Sequence, residues 1–234
     1  MNKNEKSGIT AIIVHQPKSN AEILKTIIKE VNDFVCDFQS RDRLEYLYEA
    51  DIQADLAYKL NKSIGKLEIS LQRDNSEPPQ KEKLSLITRE YPIGKRFDIG
   101  CINSEMIEEY LKWRLNINEN KPIGDNTLFW ELPLIAAIEI KYSILGGDLR
   151  DGGIKDDVEK LINYQIDYHE KRHKQPRELT FTKDFKYLAL QFFQDERWFN
   201  EWTMGKKAFG EIGGITEFDK TYLIGKKKIF KIVS

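Results

Sequence analysis

The stretch that decides the fold is AAIEIKYS (residues 136–143), in which Glu139 and Lys141 interrupt a run of apolar residues. Side chains two residues apart on a β-strand project from the same face, so Glu139 and Lys141 would stand side by side. Burying a carboxylate and an ammonium in a core strand costs several kcal/mol unless something compensates. A divalent cation held by Glu139 and an acid on a neighbouring strand would compensate.

A second stretch, RFDIG (residues 96–100), supplies such an acid. Asp98 lies there between apolar residues in a segment of β propensity, and with residues 84–92 the segment predicts an antiparallel hairpin. Asp98, Glu139 and the backbone carbonyl of Ile140 could then offer three oxygens to one metal ion. Mg²⁺ prefers such hard oxygen ligands, and Mn²⁺ would substitute for it.

The remaining pattern predicts one α/β domain spanning residues 1–234, with a mixed β-sheet flanked by α-helices. Helices are expected at about 20–38, 41–64, 105–115, 154–168 and 195–202. Strands are expected at 66–72, 84–92, 96–102, 133–142 and 185–193, with a closing hairpin over 220–233. A solvated loop is expected over 74–83, and the first few residues are expected to be loose.

The second predicted helix carries a further acid. Glu49 shares one helical face with Ile52 and Leu56 through steps of three and four residues. Glu45 joins the same face and is an equally placed rival. Glu49 could hold a metal-bound water or a second metal ion.

The order of these features resembles the PD-(D/E)XK nuclease superfamily, whose shared restriction-endonuclease-like core is a mixed sheet flanked by helices. Its signature is an Asp on one core strand and (Asp/Glu)-x-Lys on the next, often with a Glu on the preceding helix. Asp98 matches the first element, Glu139 and Lys141 match the second, and Glu49 matches the helical acid.

The resemblance covers about residues 41–193 and leaves the N-terminal helix and the C-terminal helix and hairpin as additions. One departure is Phe97, which stands where the superfamily often has Pro. The resemblance implies a Mg²⁺-dependent hydrolase of phosphodiester bonds, an endonuclease acting on DNA. Lys141 would orient the attacking water and offset the charge that grows on the phosphate.

Each of these residues also has an ordinary structural interpretation. Glu139 and Lys141 could form a strand-face ion pair, worth about 0–1 kcal/mol if exposed, and Asp98 could be an acid at a strand end. The acid-x-Lys triplet is weak alone, because residues 119–121 and 184–186 also carry it. The alternative function is a catalytically inactive domain of the same fold that binds nucleic acid or a protein partner.

The charge of the chain is almost balanced, with 37 Lys and Arg against 38 Asp and Glu and a formal net charge of −1. Such a balance gives no global attraction to nucleic acid, so a local basic patch would have to hold DNA. The candidate nucleic-acid contacts are Lys171, Arg172, Lys174, Lys226, Lys227 and Lys228. Symmetric cutting of both strands would favour a homodimer, which the sequence leaves open.

The cysteine and histidine content excludes some metal sites. Cys36 and Cys101 lie far apart without a CxxC motif, and the chain has 3 histidines, which disfavours zinc sites built from these residues. Reduced cysteines fit the cytoplasm. No signal peptide is evident, and no apolar run approaches the roughly 20 residues of a membrane span. We therefore expect a cytoplasmic protein that does not enter membranes.

Overall fold

The computed structural model describes residues 10–40, 45–72, 78–91, 97–117, 132–143, 186–193, 220–225 and 228–232. Within these ranges the chain has an α/β fold with two sheets. The helices are α1 (Asn20–Ser40), α2 (Glu49–Ile64) and α3 (Ile107–Ile117), the last preceded by a 3₁₀ turn at Ser104–Met106. The strands are β1 (Thr10–His15), β2 (Lys66–Gln72), β3 (Gln80–Ser85), β4 (Ile87–Tyr91), β5 (Phe97–Ile102), β6 (Leu134–Ser143), β7 (Lys186–Phe193), β8 (Lys220–Gly225) and β9 (Lys228–Ile232).

The larger sheet has the strand order β4-β5-β6-β7-β8-β9. Strands β4, β5 and β6 form an antiparallel meander, β6, β7 and β8 are parallel, and β9 returns antiparallel to β8. The expectation of a mixed sheet is thus confirmed. Residues 132–140 are all buried, as the continuous apolar run predicts for a strand with both faces covered.

Helices α1 and α2 pack together and against the larger sheet, with α2 contacting β4, β5 and β6. The buried positions of α1 repeat at steps of three and four residues, at Ile23, Ile27, Val31, Phe34 and Phe38. Phe38 stacks on Tyr46, and its ring centroid lies 4.7 Å from that of Phe192 at the end of β7. This aromatic cluster fixes α1 over the ends of β6 and β7.

The smaller sheet has the order β1-β2-β3 and is antiparallel. The expected loop over residues 74–83 is wrong for its last part, because residues 80–83 belong to β3 and pair with β2. The sequence patterns also gave no strand to Thr10–His15, which pairs with the other edge of β2. Pairing with β2 overrides the weak β propensity of residues 80–83, whereas the β-branched residues of Thr10–His15 themselves favour a strand.

Two other element boundaries differ from the expected ones. Helix α2 begins at Glu49 rather than near residue 41, because the Asp51 carboxylate accepts the N–H groups of Leu47 (3.0 Å) and Tyr48 (2.9 Å) and caps the helix there. The expected strand 84–92 is divided at Leu86 between β3 and β4. The expected helices at 154–168 and 195–202 lie outside the described residues.

Candidate functional site

The candidate site lies where β5 and β6 separate. Strand β5 stays paired with β4 as far as Phe97, whereas its pairing with β6 ends at Ile99, opposite Ile138. Backbone groups of alternate residues on a strand point to the same neighbouring strand, so Ile140 and Tyr142 direct their N–H groups toward the side that β5 has left. The groups that accept these two hydrogen bonds define the edge of the site.

Two carboxylates accept the hydrogen bonds in place of a strand. Asp98 Oδ2 accepts from the Ile140 N–H at 2.6 Å, and Glu49 Oε2 accepts from the Tyr142 N–H at 3.2 Å. A charged acceptor makes a stronger hydrogen bond than a neutral carbonyl. Glu49 of α2 and Asp98 of β5 therefore bind the two N–H groups of β6 that no longer face a paired strand.

Glu139 and Lys141 lie on β6 beside these two contacts. The Glu139 side chain is buried, at 2% exposure. Lys141 Nζ lies 3.9 Å from Glu49 Oε2, with the two side chains 30% and 36% exposed. One residue beyond the Ile99–Ile138 pair, Asp98 and Glu139 face each other across the separation. The structure thus brings all four predicted side chains to one short segment of β6.

The structure distinguishes Glu49 from Glu45, the rival acid on the same predicted helical face. Glu45 precedes α2 and is exposed, whereas Glu49 is the first helical residue and contacts β6. Because Asp51 caps the helix, the Glu49 carboxylate is directed to the sheet instead of its own backbone. The Tyr142 hydroxyl donates to the Tyr46 carbonyl at 3.1 Å and holds this end of α2 against β6.

Gln53 is a buried site residue that the sequence patterns do not predict. Its Nε2 donates to the Asp98 carbonyl at 2.5 Å and to Glu90 Oε1 at 3.2 Å. Gln53 follows Glu49 by one helical turn, so one face of α2 contacts β6 through Glu49 and β5 through Gln53. The available signal was a polar residue next to Ile52 on the apolar face.

The donor chemistry of the site suits a hard cation. Asp98 and Glu139 are carboxylates, and the Ile140 carbonyl faces the same side as its N–H. Among the residues that the structure describes, no group of three or more His, Cys, Asp or Glu side chains is arranged to hold a metal ion. A Mg²⁺ ion here would therefore need the backbone carbonyl, water and substrate oxygens besides two carboxylates, which is how Mg²⁺ is usually bound.

One of the six predicted nucleic-acid contacts lies in the described residues. Lys171, Arg172, Lys174, Lys226 and Lys227 fall outside the described residues. Lys228 begins β9 and pairs with Gly225, so β7 and β8 separate it from β6. Of these six residues, the structure therefore describes only Lys228, which lies on a strand that does not adjoin β6.

The two cysteines differ in their surroundings. Cys101 of β5 is buried, and burial raises the pKa of its thiol, which makes it a poor nucleophile. Cys36 of α1 is exposed. Neither belongs to a metal-binding group of the described residues.

Comparison of the chain with protein-family models, with curated proteins and with solved structures found no match. In the described ranges, no helix is long and apolar enough to cross a membrane. The sequence pattern and the geometry around β6 are therefore the features that bear on function.

Proposed function

We propose that this chain is a Mg²⁺-dependent nuclease of the PD-(D/E)XK type that hydrolyses internal phosphodiester bonds of DNA in the cytoplasm. The observation that carries the proposal is the meeting of Glu49, Asp98, Glu139 and Lys141 at one strand. Glu49 and its partner Tyr142 are 93 residues apart in the sequence. A chance ion pair needs two charged residues, whereas here three acids and a lysine from three elements converge.

The order of the elements supports a restriction-endonuclease-like core. Helix α2 is followed by the β4–β5 hairpin, then by β6, and β7 lies parallel to β6. The signature residues would stand on the helix, on the second hairpin strand and on the strand after it. Helix α1 and the β8–β9 hairpin would be additions to this core.

The roles of the residues follow from their chemistry. Asp98, Glu139 and the Ile140 carbonyl would hold Mg²⁺, which would polarise the phosphate and acidify a bound water. Lys141 would donate hydrogen bonds to the attacking water and stabilise negative charge on the phosphate oxygens. Glu49 holds the Lys141 ammonium by its ion pair and so restricts where that charge lies.

The second candidate is a catalytically inactive domain of the same fold that binds nucleic acid or a protein partner. The near-neutral net charge of −1 favours it in the form that binds a protein partner, because a nuclease has to hold a polyanion. The presence of both acids and the lysine favours catalysis, since each has a role there and none is needed for passive binding.

Cleavage of supercoiled plasmid separates the two candidates. The wild-type chain should produce nicked and linear DNA with Mg²⁺ or Mn²⁺ and none in EDTA. The Lys141→Ala variant should bind the metal but cut about 10²–10³-fold more slowly. DNA binding without cleavage of plasmid, single-stranded DNA or RNA in either metal would favour the inactive domain. Cutting of both strands at symmetric positions would indicate that the enzyme acts as a homodimer.

A further inference from the structure

The ladder between β4 and β5 is distorted next to Asp98. The register pairs Arg89 with Ile99 and Tyr91 with Phe97, which sets Glu90 opposite Asp98. Glu90 has a φ of 53°, in the left-handed region that a residue other than glycine enters at an energetic cost. The regular strand geometry is therefore interrupted at the residue that faces Asp98.

Gln53 donates a hydrogen bond to the backbone of Asp98 beside this distortion. Its Nε2 donates to the Asp98 carbonyl at 2.5 Å. The same Nε2 donates to Glu90 Oε1 at 3.2 Å, and Gln53 is 6% exposed. Glu90 and the Asp98 backbone therefore hold the amide from two sides.

We propose that Gln53 is a positioning residue for Asp98 and that Glu90 orients Gln53. Fixing the Asp98 backbone where β5 leaves β6 directs its carboxylate to the Ile140 N–H, at 2.6 Å. The expected effect of Gln53 on metal binding rests on the proposed nuclease function, whereas its positioning of Asp98 does not. If Gln53 does not position Asp98, it only helps to pack α2 against the sheet.

Residue-resolved amide exchange in EDTA tests the positioning. The variants are Gln53→Ala and the isosteric Gln53→Glu, which lacks the donor. The matched control is Asn61→Ala, because Asn61 lies two turns further along α2 and donates to the Ile87 carbonyl of β4 at 3.5 Å, away from Asp98. Exchange of the Ile140 amide should accelerate about tenfold or more in both Gln53 variants.

The Ile138 amide serves as the internal reference, because its residue pairs with Ile99 in the intact ladder. Exchange at Ile138 should stay as in Asn61→Ala. Unchanged exchange at Ile140, or equal acceleration at Ile138 and Ile140, would overturn the proposal, since the second result describes a general loss of stability.

Titration with Mn²⁺ alone tests the consequence for the metal. Loss of an outer hydrogen bond to a ligand weakens metal binding about tenfold or more, and we expect this for Gln53→Ala but not for Asn61→Ala. Equal Mn²⁺ affinity in wild type and Gln53→Ala would overturn the link to the metal. A wild-type chain that neither binds Mn²⁺ nor cuts DNA would contradict the nuclease function, while exchange in EDTA would still decide the role of Gln53.

Discussion

Among the described strands, β2 and β6 each carry a glutamate between large apolar residues, and the two glutamates lie in opposite environments. Glu68 of β2 is 33% exposed, and its carboxylate lies 3.6 Å from the Nζ of Lys83, which is 68% exposed. Glu139 of β6 is 2% exposed. The immediate sequence neighbours of a charged residue therefore do not decide its environment, whereas the number of covered faces does.

The burial patterns of the two strands explain the difference. Strand β2 alternates between buried and more exposed residues, so one of its faces carries the polar side chains. Strand β6 lies inside the six-stranded sheet, and residues 132–140 are buried throughout. The half-exposed Glu68–Lys83 pair is worth about 0–1 kcal/mol, whereas a buried carboxylate needs strong partners. The acid on β6 is thus the one that calls for a functional explanation.

Removal of the lysine on each strand should give the largest contrast. We expect Lys141→Ala to lower the rate of DNA cleavage about 10²–10³-fold, because it removes a donor that stabilises the transition state. Lys83→Ala should cut at the wild-type rate, since its charge lies on the smaller sheet. Plasmid cleavage in Mg²⁺ measures both. Equal rates for wild type and Lys141→Ala would show that the assigned mechanism is wrong.

Charge reversal of each glutamate compares the two environments by stability. Glu139→Lys should lower the free energy of unfolding by about 3–5 kcal/mol, because it leaves an unpaired buried ammonium next to Lys141. Glu68→Lys should cost about 1 kcal/mol or less, from repulsion with Lys83, its exposed cross-strand partner. Urea unfolding in EDTA, followed by tryptophan fluorescence, gives both values. Similar losses would contradict the difference in burial.

The thiols of Cys36 and Cys101 extend the comparison of exposed and buried side chains to chemical reactivity. Because burial raises the pKa of the Cys101 thiol, a thiol reagent should modify only Cys36 in the folded protein at neutral pH. Both should react in urea. Mass spectrometry of the modified peptides checks this, and rapid native labelling of Cys101 would show that β5 is accessible.

The strands of the larger sheet were predictable where the local pattern was strong. Strand β6 follows from its continuous apolar run, and β2 from its alternation. The start of α2 was not predictable, because the helical periodicity continues upstream of the residue where the Asp51 cap begins the helix. The first part of β3, residues 80–83, was expected to be a loop, because its polar residues form a strand only by pairing with β2.

The candidate site was predictable only in part. Asp98, Glu139 and Lys141 were visible as charges in apolar segments. Their meeting with Glu49 depends on the end of the β5–β6 ladder, and the Gln53–Glu90 contact depends on one left-handed residue. Such tertiary features leave no periodic trace in a sequence.

Thermal melting of wild type and Asp98→Asn, in EDTA and in Mg²⁺, tests most directly the claim that the acids around β6 hold a metal ion. The Asn side chain of this variant can still accept a hydrogen bond from the Ile140 N–H, but the substitution removes one negative charge beside Glu139. In EDTA, Asp98→Asn should melt at or above wild type, because like charges repel. Mg²⁺ at about a hundredfold excess over its dissociation constant should stabilise wild type by about 2.7 kcal/mol and the variant by little. Equal gains in both proteins would contradict the account, since Asp98 would then not be a ligand.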